Sequence, residues 1–315
     1  YVFRRREAAV CWCLVGAGDP HVEYPYMGRT VLITGGAGYI GSITARRVAA
    51  DGFVPILFDT LPLSQWNRAL RSMVCVCGDI RSTQDLHGVF AAYRPMAVMH
   101  FAALTSVVES MSRPYEYYQN NLIGGLNLLE LMRLFDCRYI VFSSTSAVFG
   151  NAATRISENT PQKPVSVYGA TKKNFEEMLY FWDKLYGIKH IVLRYFNAAG
   201  ASLSGDLGEG KSARSKLIPS LMRVYLRKQK TLTIYGKKYP TKDGTAARDY
   251  VHVEDLAVAH TLALQYLLKI NKSDSFNVGS GKTHTNLEVV KKLEVITKAT
   301  IPIRYGKPRL GEVGV

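Results

Sequence analysis

Short apolar runs without polar alternation recur along the first two thirds of the chain, and segments with helical spacing separate them. Residues 30–34, Thr-Val-Leu-Ile-Thr, form the first run, which is typical of a parallel strand buried on both faces. A glycine-rich turn follows, and then a predicted helix from about Ile40 to Asp51. The next apolar run, Val54–Phe58, closes on Asp59. These segments predict a βαβ unit of about 30 residues.

The alternation continues as far as Asn197. The predicted strands are Met73–Val76, Ala97–Phe101, Tyr139–Phe142 and His190–Leu193, and the predicted helices are Thr83–Tyr93, Pro114–Phe135 and Tyr168–Tyr186. Strands that alternate with helices form a parallel sheet covered on both faces. We therefore predict an α/β fold, a Rossmann-type doubly wound parallel sheet.

Beyond Asn197 the elements are shorter and the pattern is less regular. The predicted helices are Leu217–Arg227, Leu256–Leu268 and Asn286–Ile296, and the predicted strands are Leu232–Tyr235 and Ser275–Val278. We interpret residues 197–315 as a smaller α/β substrate-binding portion that caps a sheet domain of residues 28–196, with an interleaved boundary.

The two ends of the chain lie outside this pattern. Residues 1–27 contain a basic stretch, an apolar stretch and finally Met27, so we expect an upstream extension that is not part of the fold. At the other end the chain stops abruptly at Val315, and we expect the native protein to continue.

Charge narrows the classes of partner. The chain has 40 Lys and Arg against 25 Asp and Glu, a formal net charge of +15. Such an excess suits nucleic-acid binding, but the basic residues are scattered without interleaved aromatic platforms. We therefore favour attraction of an anionic small molecule and expect no nucleic-acid partner. No apolar run approaches the ~18 residues of a membrane span, so we expect no membrane association.

Cysteine usage points to a reducing compartment. The chain has 5 cysteines, with no Cys-x-x-Cys motif and no zinc-like spacing. Cys75 and Cys77 lie in an apolar run, and we interpret them as core residues of a cytoplasmic protein that binds no metal.

The turn Gly35-Gly-Ala-Gly38-Tyr-Ile-Gly41 follows a strand and opens a helix. Glycine lets the backbone turn tightly and approach a pyrophosphate, and the helix N-terminus presents free N–H groups to the anion. Asp59 would bind the adenosine ribose hydroxyls and repel a 2′-phosphate, which favours NAD over NADP. Asp79 and Ile80 after the third strand are predicted adenine contacts.

Tyr168 and Lys172 open a helix four residues apart, so their side chains share one face. A phenol is a weak base at neutral pH, but a nearby Lys⁺ and a positive nicotinamide ring would lower its pKa. Ser143-Ser-Thr145 ends the preceding strand and offers a hydroxyl to relay a proton.

A series of motifs then follows in a characteristic order. They are Gly35–Gly41, His100–Ala103, Tyr117–Asn121, Tyr168–Lys172, Arg194–Asn197, Tyr239–Thr245, Arg248–His252 and Phe276–Gly279. Together they resemble the UDP-glucose (UDP-galactose) 4-epimerases of the extended short-chain dehydrogenase/reductase superfamily, from about Thr30 to the end of the chain. Tyr-Pro-Thr-x-Asp-Gly-Thr and Arg-Asp-Tyr are specific to this type of epimerase.

The resemblance implies roles for the matching positions. Tyr168 would be the base, Lys172 its ribose-bound partner and Thr145 the third hydroxyl. NAD would contact Gly35, Gly38, Tyr39, Ile40, Gly41, Asp59, Asp79, Ile80, Phe101, Ala102, Ala103, Asn120, Lys172 and Tyr195. A UDP-sugar would contact Asn197, Lys216, Leu217, Thr233, Tyr235, Arg248, Tyr250, Arg309 and Glu312. Arg248 and Arg309 would pair with its pyrophosphate.

Some positions depart from the family pattern. Thr105 stands where many members have a lysine at the cofactor ribose, Lys216 replaces a usual asparagine, and Glu312 replaces a usual aspartate. The chain ends about where the family carries the residue that governs admission of N-acetylated sugars.

The implied reaction is reversible epimerisation at C4 of UDP-galactose and UDP-glucose through a 4-keto sugar, with transient NADH. Epimerisation of UDP-xylose/arabinose or UDP-glucuronate stays open, because only the sugar pocket would differ. A 4,6-dehydratase is disfavoured, since Ser146-Ala147 stands where carboxylates would follow the catalytic threonine. A catalytically silent NAD-binding protein is the alternative from another class.

The resemblance also implies a homodimer. Apolar stripes on Pro114–Phe135 and on the helix of Tyr168 would pair across a two-fold axis. His100 and His252 are interpreted as hydrogen-bonded structural residues.

Overall fold

The computed structural model describes residues 29–151, 155–210 and 216–311 together with Gly314. The strands are β1 Thr30–Thr34, β2 Val54–Asp59, β3 Val74–Cys77, β4 Ala97–His100, β5 Tyr139–Thr145, β6 Lys189–Tyr195, β7 Asn197–Ala199, β8 Leu232–Tyr235, β9 Ala247–His252, β10 Asp274–Val278, β11 Thr283–Thr285 and β12 Ile303–Gly306. The α-helices are α1 Tyr39–Ala50, α2 Thr83–Tyr93, α3 Val107–Ser110, α4 Pro114–Tyr118, α5 Gly124–Leu134, α6 Val167–Tyr186, α7 Leu217–Tyr225, α8 Val253–Ile270 and α9 Asn286–Thr297.

The main sheet has 7 strands in the order β10-β6-β5-β4-β1-β2-β3, and all neighbouring pairs are parallel. Every residue of β1 is buried, as its unbroken apolar run predicts. One core lies between the sheet and the layer of α1 and α8, and the other lies beneath α2, α5 and α6. The predicted α/β doubly wound fold is confirmed.

The predicted helix Pro114–Phe135 is interrupted. It runs as α4, a π-helical turn over Gln119–Ile123, and α5. Gly124 follows the turn against Ile80, since a Cβ there would lie 2.7 Å from the Ile80 side chain. π-Turns in helices are frequent at functional sites, and this one carries Asn120 and Asn121.

The smaller portion has its own core and two small sheets. Strand order is β11-β9-β7 in one sheet and β12-β8 in the other. Leu221 on α7, Ile234 on β8 and Val290 on α9 pack together in the separate core.

Chain order and spatial order differ beyond residue 196. The predicted strand Ser275–Val278 belongs to the main sheet, because β10 pairs with β6 in parallel register, Val278 against Tyr195. Helix α8 also packs on α1 and the main sheet. The division into 28–196 and 197–315 stays a prediction, and the predicted extension 1–27 lies outside the described residues.

Cys77 corrects one interpretation. Cys137 is buried and Cys75 half-buried, but Cys77 is exposed because β3 is an edge strand. Within the described ranges, no helix is long and apolar enough to cross a membrane.

Candidate active site

A cleft of about 2640 Å³ opens at the carboxyl ends of the parallel strands. It begins where the strand order reverses, with β2 on one side of β1 and β4 on the other. Ligands of open α/β sheets bind at such a switch point. The cleft continues to the small sheets, so residues of both portions line its walls.

The glycine turn forms a cradle at one end of the cleft. Gly35 has φ +73°, and a Cβ there would lie 2.7 Å from the backbone N of Ala102. A Cβ on Gly41 would lie 2.3 Å from the Gly35 carbonyl oxygen. Gly38 begins α1 without a side-chain cap, and the first turn has no acidic residue. The exposed helix N–H groups therefore fit the pyrophosphate of a dinucleotide.

Asp59 lies at the end of β2 beside this cradle. Its carboxylate accepts hydrogen bonds from the backbone N–H groups of Ala37 and Leu61, both at 3.1 Å. These bonds fix the carboxylate against the turn and leave acceptor capacity for ribose hydroxyls.

Asp79 differs from the neighbouring predicted residues. Its carboxylate pairs with the Arg81 guanidinium at 2.5 Å and is absent from the cleft wall, whereas Ile80 lines the cleft. The hydrogen bond from Arg81 lowers the pKa of Asp79. The predicted adenine contact of this side chain therefore stays a prediction.

Tyr168 and Thr145 meet on the cleft wall. Thr145 ends β5, and Tyr168 lies in the first turn of α6, which Ser166 caps by accepting from the Gly169 N–H at 3.1 Å. Tyr168 is 9% exposed. Burial raises the pKa of its phenol and the Thr145 hydrogen bond lowers it, with burial the larger effect. The lowering that we expect from Lys172 together with a positive nicotinamide ring stays a prediction.

Lys172 lies behind Tyr168, beneath the cleft floor. Its Nζ donates to the Ser143 carbonyl oxygen at 2.9 Å and lies 4.7 Å from the centroid of the Phe142 ring. Burial lowers the pKa of Lys172 to about 7, and the Glu176 carboxylate raises it. The amine is thus poised to change its charge near neutral pH.

A buried ion pair supports this wall, and the sequence analysis missed it. Arg194 on β6 donates to Glu176 on α6, with Nη2 to Oε2 at 2.7 Å. The two side chains are only 9% and 7% exposed. Glu176 also accepts from the Ser144 hydroxyl at 2.5 Å. Because Ser144 precedes Thr145 and Arg194 precedes Tyr195, the pair fixes α6 against both strands that reach the reacting groups.

Asn121 lies in the motif Tyr117–Asn121, but the sequence analysis assigned it no role. Its side chain accepts from the Leu104 N–H at 2.8 Å and donates to the Leu104 carbonyl at 3.0 Å and to Thr171 Oγ1 at 3.2 Å. It therefore ties the loop after β4 to α6. The predicted residue Asn120 lines the cleft beside it and donates to Asn121 Oδ1 at 3.0 Å.

His100 and His252 are hydrogen-bonded, as predicted. His100 is buried and contacts Thr34 Oγ1 through Nδ1 at 2.7 Å, and burial lowers its pKa to about 3. His252 caps α8 by accepting from the Glu254 N–H.

His260, which the sequence did not single out, binds the Leu256 carbonyl through Nδ1 at 2.7 Å and Ser143 Oγ through Nε2 at 2.8 Å. Since a carbonyl only accepts, Nδ1 carries the proton and Nε2 accepts from Ser143.

The far end of the cleft is basic and half-exposed. The Arg309 guanidinium lies 3.6 Å from the centroid of the Tyr235 ring. Arg248 donates to the carbonyls of Ala247 at 2.7 Å and Gly314 at 3.3 Å. Lys216 forms an ion pair with Glu209 across the cleft wall. Flat guanidinium groups beside an aromatic ring suit a diphosphate and a planar base.

Most predicted site residues line this one cleft. Those on the wall are Gly35, Gly38, Tyr39, Ile40, Gly41, Asp59, Ile80, Phe101, Ala102, Ala103, Asn120, Thr145, Tyr168, Tyr195, Asn197, Lys216, Leu217, Thr233, Tyr235, Arg248, Tyr250 and Arg309. Asp79 and Lys172 are not on it, and Glu312 lies outside the described residues.

Comparison with known proteins adds an independent finding. Residues 31–279 match the NAD dependent epimerase/dehydratase family. The chain is 40% identical to a UDP-glucose 4-epimerase of Lactobacillus helveticus over 90% of this chain and 86% of the relative.

Two solved structures extend the similarity to three dimensions. The UDP-glucose 4-epimerase of Brucella ovis in complex with NAD superposes with a TM-score of 0.85 at 38% identity, covering 91% of this chain and 88% of the other. The enzyme from Bifidobacterium longum in complex with NAD⁺ and UDP has a TM-score of 0.85 at 34% identity, covering 90% and 88%.

Proposed function

This chain belongs to the NAD dependent epimerase/dehydratase family, and from that premise we propose that it interconverts UDP-galactose and UDP-glucose. The observation that carries the proposal is the position of Thr145 and Tyr168. They lie on the wall of one cleft between a dinucleotide cradle and a basic, aromatic end suited to UDP. A reaction that needs both ligands side by side fits this arrangement.

The residues of the chain have separable tasks. Tyr168 takes the proton of the sugar 4-hydroxyl and later returns it, with Thr145 as its hydrogen-bonding partner. Lys172 lies behind the phenol and would bind the cofactor ribose. Arg248 and Arg309 hold the diphosphate, so that the sugar turns about this fixed anchor between the two halves of the reaction.

NAD is the cofactor, and when bound it would supply the hydride acceptor for C4 of the sugar and the hydride donor for the return step on the opposite face. The glycine cradle and Asp59 would hold its pyrophosphate and adenosine ribose. The cofactor is recycled, since oxidation and reduction cancel within one turnover.

The cleft argues against one alternative reaction and leaves alternative substrates open. Ser146-Ala147, in a 3₁₀ turn directly after Thr145, offers no carboxylate for the elimination of a 4,6-dehydratase. Another UDP-sugar, such as UDP-xylose/arabinose or UDP-glucuronate, remains an alternative substrate because the wall that grips UDP would be the same.

Conversion of UDP-galactose to UDP-glucose by the purified protein, with no NAD added, tests the proposal. Turnover is expected, because the cofactor stays bound through purification. Absence of turnover even with added NAD would overturn the UDP-hexose assignment and direct the assay to the pentose and uronate nucleotides. A protein that binds NAD but turns over none of them would be a silent binding protein.

We also propose a homodimer. Tyr180, Phe181 and Leu185 on α6 are 50%, 55% and 67% exposed, an unusual concentration of apolar surface on one helix. Light scattering of the purified protein tests this assembly, and a monomeric mass would contradict it.

The predicted compartment, the cytoplasm, is consistent with the free thiols of Cys75, Cys77 and Cys137.

A further inference from the structure

A surface loop over Gly200–Gly208 lies beside the phosphate-binding cradle. It is closed by a bridge between Ala201 and Gly208, and its Ser202 N–H donates to the Leu207 carbonyl at 2.8 Å. Leu207 is only 3% exposed and anchors the loop in the main core. Leu207 belongs to the same packed cluster as Ala37, Tyr39 and Ile40 of the glycine turn and α1, and Leu207 and Gly208 line the cleft, so the loop packs against the cradle.

Helix α1 contacts this loop near the first residue of the loop and again near its last residues. The Tyr39 hydroxyl donates to the Gly200 carbonyl at 2.6 Å. About two turns further along α1, Arg46 Nη1 donates to both carboxylate oxygens of Asp206 at 2.8 Å and to Ser204 Oγ at 3.0 Å. The same helix that presents its N-terminus to the pyrophosphate therefore also fixes the neighbouring loop.

Asp206 organises the loop from within. Its Oδ1 accepts from the hydroxyls of Ser202 at 2.8 Å and Ser204 at 2.6 Å, and its carbonyl accepts from Asn67 Nδ2 at 2.7 Å. Hydrogen bonds from the two serines, with Arg46 contributing, lower the pKa of this carboxyl. Neither Arg46 nor Asp206 lines the cleft, so their effect on a ligand there is indirect.

We propose that Arg46 and Asp206 are positioning residues that hold the 200–208 loop against the cradle and thereby slow the release of NAD and NADH. The inference rests on the proposed function, since an epimerase that lost NADH before the second half of its cycle would leave a keto sugar.

The alternative is a purely electrostatic effect of the two charges on the pyrophosphate. The two explanations predict opposite signs for one variant. If Arg46 only attracts the anion, Arg46→Gln would speed cofactor release and Asp206→Asn would slow it. If the ion pair holds the loop, both substitutions speed release.

The test is the release rate of NADH from reduced holoenzyme, followed by the loss of bound-NADH fluorescence during a chase with excess NAD⁺. We expect release roughly fivefold faster for Arg46→Gln and for Asp206→Asn, as suits an exposed ion pair. The double variant should release no faster than the faster single variant, since both break one contact. Arg47→Gln is the matched control, because it breaks the exposed Arg47–Asp51 pair one position along α1.

Wild-type release in both variants, slower release in Asp206→Asn, or equally fast release in Arg47→Gln would each overturn the inference. Turnover of UDP-galactose is measured separately on the same samples. If the variants release NADH at the wild-type rate and turnover of UDP-galactose is normal, only the inference is contradicted. If the variants release NADH faster but the protein turns over no UDP-hexose, only the proposed function is contradicted.

Discussion

The two walls of the cleft are built on opposite principles. Thr145 and Tyr168 on the catalytic wall and Lys172 behind it are at most 9% exposed, and the two charges of the supporting ion pair are paired with each other. On the UDP wall, the Lys216 side chain is 54% exposed, and Arg248 and Arg309 are half-exposed. Groups that exchange a proton need fixed distances, whereas a wall that admits and releases a charged nucleotide needs contact with water.

The difference also explains how one site can treat two epimers alike. The keto sugar must rotate so that its other face meets the cofactor. It therefore needs a fixed anchor at the diphosphate and a sugar pocket that leaves it room to rotate. In the proposed reaction, the basic wall would anchor the diphosphate at a distance from the reacting carbon, and the rigid wall would present Tyr168 to either face of the sugar. Substitutions on the basic wall should therefore change KM, and those on the catalytic wall should change kcat or stability.

The largest expected effect is at Tyr168. Tyr168→Phe removes the proton-transferring hydroxyl and should lower kcat about 10²- to 10⁴-fold, with UDP binding retained. Turnover of UDP-galactose and equilibrium binding of UDP measure the two quantities. Tyr225→Phe, at a 40% exposed position of α7 outside the cleft wall, is the control and should be neutral. An active Tyr168→Phe protein would remove Tyr168 from the mechanism.

The next effect is on stability, at the ion pair behind the catalytic wall. Glu176→Gln leaves the Arg194 guanidinium buried without its carboxylate and should lower the free energy of unfolding by about 3 kcal/mol. Chemical denaturation measures it. Glu177→Gln, whose partner Lys173 is 3.4 Å away at the surface, should change stability by less than about 1 kcal/mol. Equal losses in the two variants would show that the buried pair has no special role.

This pair also marks the limit of what the sequence predicts. The glycine turn, the buried run of β1 and the spacing of Tyr168 and Lys172 are local patterns, and each was found from the residues alone. Glu176 and Arg194 are 18 residues apart on different elements, and their contact exists only because α6 packs against β6.

The same reasoning applies to the other features that the sequence did not predict. The place of β10 in the main sheet depends on which sheet edge is open, which chain order does not encode. Arg81 stands two residues from Asp79 and engages the carboxylate predicted for adenine, but proximity in sequence does not say which way a side chain turns. An i,i+4 carboxylate after Lys172 was the one visible signal for Glu176.

On the basic wall we expect an intermediate effect confined to binding. Arg309→Ala removes a guanidinium stacked on Tyr235 and should raise KM for UDP-galactose about tenfold, with kcat within about twofold. Initial-rate kinetics measure both constants. Lys307→Ala, two residues away and absent from the cleft wall, is the control. A tenfold fall in kcat would mean that this wall also positions the reacting carbon.

The pH dependence of stability tests the burial of Lys172. Its pKa is about 7 in the folded protein and about 10.5 when unfolded, so between these values the unfolded chain binds the extra proton. The cost of burying the ammonium is thus fully present below about pH 7 and is relieved as the pH rises. The free energy of unfolding should rise with pH in this window by up to about 1.4 kcal/mol per unit more than in Lys172→Met. Parallel curves for the two proteins would show that Lys172 keeps an ordinary pKa.

The smallest expected effect is the salt dependence of KM, which should distinguish the basic wall from the catalytic wall. Charges that face water are screened by ions, whereas buried pairs are screened much less. Raising the salt from about 0.05 to about 0.5 M should therefore raise KM for the anionic UDP-sugar severalfold and leave kcat nearly constant. The Arg309→Ala protein should show a weaker dependence, because one of the screened charges is gone. A fall in kcat with constant KM would reverse the assignment of the two walls, since it would place the salt-sensitive charges at the reacting groups.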